Sequence, residues 1–350
     1  MISTASFSTE LLRGQSSIRA ANADLAELRS RCSQADDLTT DIEYFLATCP
    51  PRNRRPVVLL FRAKSRPEAA VLLHEVCFKG IGTGLCRAGD PAGEGLLVAP
   101  VAAREEFLRL AVNYLVIGHK TFHTVRACMK TANGLSMGHF RRTGLTSKVI
   151  DREVKHTLPL GNSYSALLQE FGRRTRRSLK TKRRKLEERF QPSFFADLAA
   201  AQAFEAMSYL RTHSSPIRSV WFINARRSLL LSRKDAFAMG LRSLDGEWLS
   251  FISGWRGADT TYVDLQMNNK AFKGESISAV MRAFLLENEI GRGQRYITFV
   301  GGSSALLERY CTPNESIVEI VVSRASVKGW CLRKLIDVCC NESLKYWLYM

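Results

Sequence analysis

Apolar residues in this chain recur with two different periods, and the switches between them mark out its elements. Val57 to Arg62 is apolar almost without interruption and Ala69 to Val76 repeats the pattern, as strands covered on both faces do. A third short run, Leu96-Leu97-Val98-Ala99-Pro100, is followed by a helical period over Ala102 to Leu115 and a strand over Thr121 to Met129. Gly80, Gly82, Gly84, Gly89, Gly93 and Gly95 punctuate the interval between the second and third strands. The first half therefore reads β-β-β-α-β, with connections of ordinary length. Ahead of it, residues 1–40 are Ser/Ala-rich with one expected helix, Ala20 to Arg31, and read as peripheral. The three prolines within Cys49 to Pro56 predict a turn or linker.

In the second half, Arg141 to Pro159 is polar and reads as a connection. Tyr164, Leu167, Leu168, Phe171, Thr175, Leu179, Leu186 and Phe190 recur at helical spacing, which predicts one docked helix over about 163–189. A helix near Phe195 to His213 and an irregular stretch around Trp221 come next. Ala236 to Leu244 and Trp248 to Trp255 flank Asp245-Gly246, a good hairpin signal. The pattern continues with a strand over Thr260 to Met267, a helix over Ser278 to Asn288 and a strand over Tyr296 to Val300. A short helix from Ser304 to Cys311 and a last strand from Ser316 to Val322 complete a mixed α/β layout. The expected domains are a peripheral segment 1–40, an N-terminal lobe 41–154, a C-terminal lobe 155–325 and a helix or tail 326–350.

Charge changes this picture at one place. The 350 residues carry a formal charge of +18, and nine basic residues with no acidic one lie between Arg173 and Lys185. Half of the excess is thus local, which implies one cationic surface able to meet nucleic acid, an anionic membrane or a phosphorylated cofactor. The plainer reading is a solvated face around an apolar stripe. Aromatic interleaving is sparse, with only Tyr164, Phe171 and Phe190 flanking the run, so a nucleic-acid arm stands as the alternative. The nine cysteines show no C-x-x-C spacing, and none of the six histidines pairs with Cys or Asp at ligand spacing, so no metal site is expected. Scattered thiols, no leader-like start and no apolar run of eighteen residues predict a soluble, cytoplasmic protein.

The segment Tyr164-x-x-Leu167-Leu168-x-x-Phe171-x-x-Arg174-x-Arg176-Arg177-x-Leu179-x-x-Lys182-x-Arg184-x-Leu186-Glu187 resembles the Arg-rich helix of FemAB-like and CelD-type proteins of the GNAT acetyltransferase superfamily. The resemblance continues through Asp245-Gly246-Glu247, Tyr262, the loop Lys273-Gly274-Glu275-Ser276 and Gly291-x-Gly293, covering roughly 155–322. It implies an α/β fold of tandem GNAT-like lobes, each a mixed, splayed central sheet flanked by helices. The first half, 40–150, more weakly resembles the degenerate N-terminal repeat of those proteins and is expected to lack its own cofactor site.

The implied activity is an acyl-CoA-dependent N-acyltransferase moving an acetyl or longer acyl group to an amine on a small molecule, amino sugar or peptide. The implied pyrophosphate cradle is Met267, Lys270, Lys273, Gly274, Glu275, Ser276, Ile277 and Ser278, where a strand ends in a loop that opens a helix. Gly274 and Ser276 match the last two places of the usual loop pattern, whereas Ala271 stands where Gln or Arg is common. Tyr310 matches the tyrosine that protonates the leaving thiolate, and Asp264, in an apolar strand, is the candidate base. Arg173, Arg176 and Arg177 are the candidate acceptor-binding residues. A GNAT-fold binding protein without catalysis and a nucleic-acid-binding protein are the alternatives, and an aminoacyl-tRNA donor stays open.

Overall fold

The computed structural model describes residues 7–32, 40–49, 52–89, 95–98, 103–118, 122–130, 145–151, 155–214, 220–300, 306–315 and 317–340. The chain forms two units, Met1–Arg152 with Ser316–Met350, and Glu153–Glu315.

The first unit begins with β1 (Phe7–Arg13), α1 (Gln15–Ala20), α2 (Asn22–Arg31) and α3 (Ile42–Ala47). It continues through β2 (Arg54–Ala63), β3 (Arg66–Phe78), β4 (Ile81–Ala88), β5 (Leu96–Val98), α4 (Arg104–Asn113), β6 (Thr124–Lys130) and β7 (Leu145–Asp151). Residues 7–31 are not peripheral. β1 pairs along its length with β2, Phe7↔Ala63 to Arg13↔Val57, and Ile18, Leu25 and Leu28 are fully buried against Val58, Leu60 and Leu72. Pro56 lies inside β2 rather than in a linker, opposite His74 of β3 and just past the last β1 pair, and its carbonyl accepts from Gly14 N–H at 3.0 Å. The glycine-punctuated interval also holds a strand, β4. Gly84 there has φ +80°, and a Cβ on it would strike the His123 ring, so glycine is required.

The second unit contains β8 (Lys155–Pro159), α5 (Tyr164–Glu170), α6 (Arg173–Phe190), β9 (Ser193–Phe195), α7 (Ala200–His213) and α8 (Val220–Ser232). β10 (Ala236–Arg242) and β11 (Trp248–Arg256) form the expected hairpin, with Gly246 at φ +87° in its turn. β12 (Thr260–Asn268), α9 (Ile277–Gly291), β13 (Tyr296–Phe299) and β14 (Thr312–Glu315) follow. The polar connection expected over 141–159 instead supplies β7 and β8, and the stretch at Trp221 lies in α8. The short helix expected from Ser304 falls partly outside the described residues; Glu308–Tyr310 is a single 3-10 turn.

The expected single basic helix is two. Phe171 (ψ 135°) and Gly172 (ψ 148°) are extended, so α5 stops and α6 starts afresh. The break lets Phe171 turn inward onto the ring of Tyr310, 4.6 Å between centroids. The apolar stripe is buried as expected: Leu167, Leu168, Phe171, Leu179 and Leu186 share one core with Val280, Met281 and Leu285 of α9. Phe171→Asp is therefore expected to destabilise the protein by about 2–4 kcal/mol in urea unfolding, since a charge would replace a buried ring. An unchanged midpoint would mean that the segment is not docked.

The last strand, β15 (Ile317–Arg324), and the helix after it, α10 (Val327–Cys340), belong to the first unit, not to the lobe 155–325 expected from chain order. One sheet runs β1-β2-β3-β4-β6-β15-β7 with β5 on β3; the other runs β14-β8-β13-β12-β11-β10-β9. The two sheets correspond. Each has a central parallel pair, β4/β6 and β12/β13, bridged by a helix, α4 and α9. Beyond that pair each holds a strand from the other end of the connection: β15 between β6 and β7, and β8 between β13 and β14. The first unit thus receives its β15 from the far side of the second unit in the chain, whereas the second is contiguous.

Candidate functional site

The parallel pair of the second sheet is where the ladder runs out. β12 and β13 pair from Thr260↔Tyr296 to Val263↔Phe299, and Val300 N–H closes the set on the Val263 carbonyl at 3.0 Å. β12 continues to Asn268 without β13. Opposite β11 its register skips Asp264, since Ser253 pairs Leu265 and Gly254 pairs Val263. Such a bulge reverses which face each later side chain takes. Val263 packs with the α9 core, whereas Leu265 and Met267 pack with Ala203 and Met207 of α7. The bulge also turns Gln266 toward α9, where its Nε2 donates to the Ser278 carbonyl at 3.2 Å.

The loop after β12 is anchored by Asn269, which sequence reasoning missed. Its Oδ1 accepts from Ala271 N–H (3.0 Å) and its Nδ2 donates to the Trp248 carbonyl (3.3 Å). Lys270–Glu275 forms a 3-10 turn, and Ser276 enters α9 with φ +56°. No side chain caps this helix start, which leaves its first amides for solvent or an anion. Lys270, Lys273 and Gly274 are exposed, and a Cβ on Gly274 would meet no atom within 4 Å. Glu275, the only acid in the loop, is drawn off by an ion pair with Arg189. Met267 and Ile277 are buried, so only their backbone can serve a ligand. Uncapped amides, two lysines and a neutralised carboxylate fit a pyrophosphate.

Tyr310 stands at the other end of the basic helix. Its Oη accepts from Gly172 N–H at 2.8 Å and its hydroxyl donates to Thr175 Oγ1 at 3.1 Å. A Cβ on residue 172 would come within 3.3 Å of that oxygen, which explains the glycine. Partial burial pushes the phenol pKa up, but the bonds to Thr175 and Gly172 and the charge of Arg309 outweigh it and hold the group below its usual value. α6 has 18 residues and is about 27 Å long. Tyr310 contacts its first turn and Glu275 its last. A ligand reaching both must be extended.

Asp264 is not presented to an acceptor. Arg226 of α8 holds it through Nε at 2.7 Å and Nη2 at 3.0 Å, and both side chains are nearly out of solvent. A carboxylate engaged by both prongs of a guanidinium is positioned as an internal counter-ion rather than as a base. Chain pattern marked the acid but gave no sign of Arg226, 38 residues away.

Of the candidate acceptor residues, only Arg176 lines a groove. That groove, about 750 Å³, lies between α5 and α6 and includes Lys180, Arg183, Arg184 and Glu287. Arg173 and Arg177 are not among its lining residues. Arg183 is engaged by Glu187 (2.9 Å) and Glu287 (2.6 Å), whereas Arg173, Arg176, Arg177 and Lys180 form no ion pair among the described residues.

Among the described residues no three of His, Cys, Asp and Glu come together as metal ligands, and no helix is long and apolar enough to cross a membrane. No family model and no curated protein matches the chain. Among solved structures it is similar to the crystal structure of FemX, at 11% identity and a TM-score of 0.57, over 90% of this chain and 98% of that one. It is also similar to the structure of L-PGS from Bacillus licheniformis, at 11% identity and a TM-score of 0.53, over 90% of this chain and 96% of that one. The likeness shows the fold: a mixed α/β architecture of two sheets flanked by helices, shared with those structures over most of the chain.

Proposed function

We propose that the chain is an acyltransferase that passes an acyl group from acyl-CoA to an amine, using the second unit. The observation that carries this reading is the early end of the β12/β13 ladder beside a helix start that no side chain caps. Among the described residues no strand pairs with β12 after Val263 on its β13 side, and backbone groups there suit a pantetheine arm that offers amides to them. Lys270, Lys273 and the amides of Ser276, Ile277 and Ser278 would hold the pyrophosphate. Bound acyl-CoA supplies the activated thioester. Tyr310, with its lowered pKa, is suited to protonate the departing thiolate. The FemAB-like and CelD-type resemblance points the same way and favours an amino-sugar or peptide amine as acceptor.

Acetyl-CoA or free CoA at a hundredfold excess over its Kd is expected to stabilise the protein by about 2.7 kcal/mol in thermal melting. Gly274→Val is expected to melt like the wild type without ligand, because its side chain enters open space, and to lose most of that stabilisation by crowding the phosphates. Equal CoA stabilisation of variant and wild type would place the cofactor elsewhere.

A second reading rests on the free cations of α6, with Arg173, Arg174, Arg177, Lys180, Lys182 and Lys185 in no ion pair among the described residues. They suit an RNA-borne donor such as an aminoacyl-tRNA. In that case RNA, not CoA, raises the melting temperature, and the effect falls steeply with salt.

A further inference from the structure

Three guanidinium groups with little solvent exposure have carboxylate partners: Arg226 has Asp264, Arg256 has Glu289, and Arg126 has Glu319. Arg282 of α9 does not. Its Nε donates to Gln266 Oε1 at 2.8 Å, and its guanidinium lies over the Phe299 ring, 4.8 Å from the centroid. Its Nη1 is out of solvent with no hydrogen-bond partner, and no acid pairs with it among the described residues. Nor does the adjoining segment 301–305 help, since Gly-Gly-Ser-Ser-Ala contains no acid. Burial lowers the group's pKa to about 10, the direction for a cation short of counter-charge, and leaves it charged at neutral pH. A buried, unmatched charge is costly to a fold.

The position of this charge is informative. Gln266 lies on β12 past its last residue paired with β13, and Phe299 is the last residue of β13. Arg282 is therefore held at the fork where the two strands part. Gln266 fixes one edge of the guanidinium and Phe299 covers one face, so the Nη1/Nη2 edge is what remains to offer. Two coplanar N–H groups match the two oxygens of a carboxylate. None of β12, α9 and β13 contains a lysine, in contrast to the paired Lys270 and Lys273 of the loop.

We propose that Arg282 is a carboxylate-binding residue, its guanidinium receiving a carboxylate of the ligand at the fork of β12 and β13. The assignment of that ligand rests on the acyltransferase reading: the carboxylate is carried either by the amine acceptor, as in an amino acid, or by the acyl group of a dicarboxylic acyl-CoA. Both sources present the same group to the same arginine.

Thermal melting of the full chain in sodium acetate against sodium chloride at equal ionic strength tests the site without needing turnover. Acetate is expected to raise the wild-type melting temperature logarithmically with its concentration, by about 3 °C at tenfold excess over its Kd. Arg282→Met is expected to melt above the wild type in chloride, having lost an unmatched charge, and to show no acetate effect. Arg282→Lys, which keeps the charge but not the planar fork, is expected to melt like the wild type in chloride with a weakened acetate response. Coincident wild-type curves in the two salts, or an acetate effect that survives Arg282→Met, would overturn the proposal. So would a loss of stability in chloride for Arg282→Met, which would make the arginine structural. Repeating the acetate series in saturating acetyl-CoA separates the sources: persistence assigns the carboxylate to the acceptor, and competition assigns it to the acyl group. If acetyl-CoA itself has no effect, the cofactor reading fails while the acetate result stands on its own.

Discussion

A chain ending at Glu315 is expected to leave its first unit unfolded. β15 pairs with β6 from Ile317↔Lys130 to Ser323↔Thr124 and with β7 from Val318↔Asp151 to Arg324↔Leu145. It is the strand both neighbours share. Without it β7 has no partner in the sheet, and the open edge of β6 exposes a row of unpaired backbone groups. Ile320 and Val322 leave the main core, Val321 leaves the contact with Leu332 and Ile336, and Arg126 loses Glu319 in a buried setting. Each fully buried aliphatic side chain contributes about 1.5–3 kcal/mol, so these losses together with the stranded charge and open edges are comparable to the whole stability of a unit this size. The second unit, Glu153–Glu315, is contiguous and keeps all its strands. Hydrogen exchange on the truncated chain is expected to show protection in β8 to β14 and none in β1 to β7. Protected amides in β2 and β3 would show β15 to be dispensable.

Arg226→Met is expected to cost about 3–5 kcal/mol in urea unfolding, because it strands the Asp264 carboxylate in a site with little water. Arg226→Met with Asp264→Leu is expected to recover most of that loss, since two apolar side chains replace both charges at once. The same pair decides what Asp264 does. As an internal counter-ion, its replacement by Asn lowers stability and leaves the shape of the pH–kcat profile intact. Loss of the acidic limb of that profile in Asp264→Asn would make Asp264 the general base after all.

Much of the scaffold around the candidate site was legible along the chain. The apolar runs at 57–62 and 69–76, the Asp245-Gly246 turn and the period-3.6 stripe through the cationic run each have one local explanation, and each stands in the structure. The loop Lys273–Ser276 leading into a helix was equally local. What escaped were elements whose stability comes from partners remote in sequence. β1 has no clear alternation, β4 is interrupted by glycines, and β7 and β8 are short and polar, yet the ladder satisfies their backbones. The break at Phe171 sits between residues of good helical pattern, and a ring 139 positions away in Tyr310 makes the inward turn favourable. Arg282 left one trace, as the lone cation in the otherwise apolar first turns of α9.

By itself the sequence determined which segments bury an apolar face and with what period, where the positive charge gathers, and where a glycine loop opens a helix. Those are properties of side chains and their near neighbours. Only the tertiary structure decided that the last strand completes the first sheet, that Asp264 is claimed by Arg226, and that Arg282 meets no acid among the described residues. Each depends on which groups come together in three dimensions. A strand is indifferent to which edge it pairs with until the rest of the sheet exists, and a charge has no partner until the fold brings one near or leaves it without.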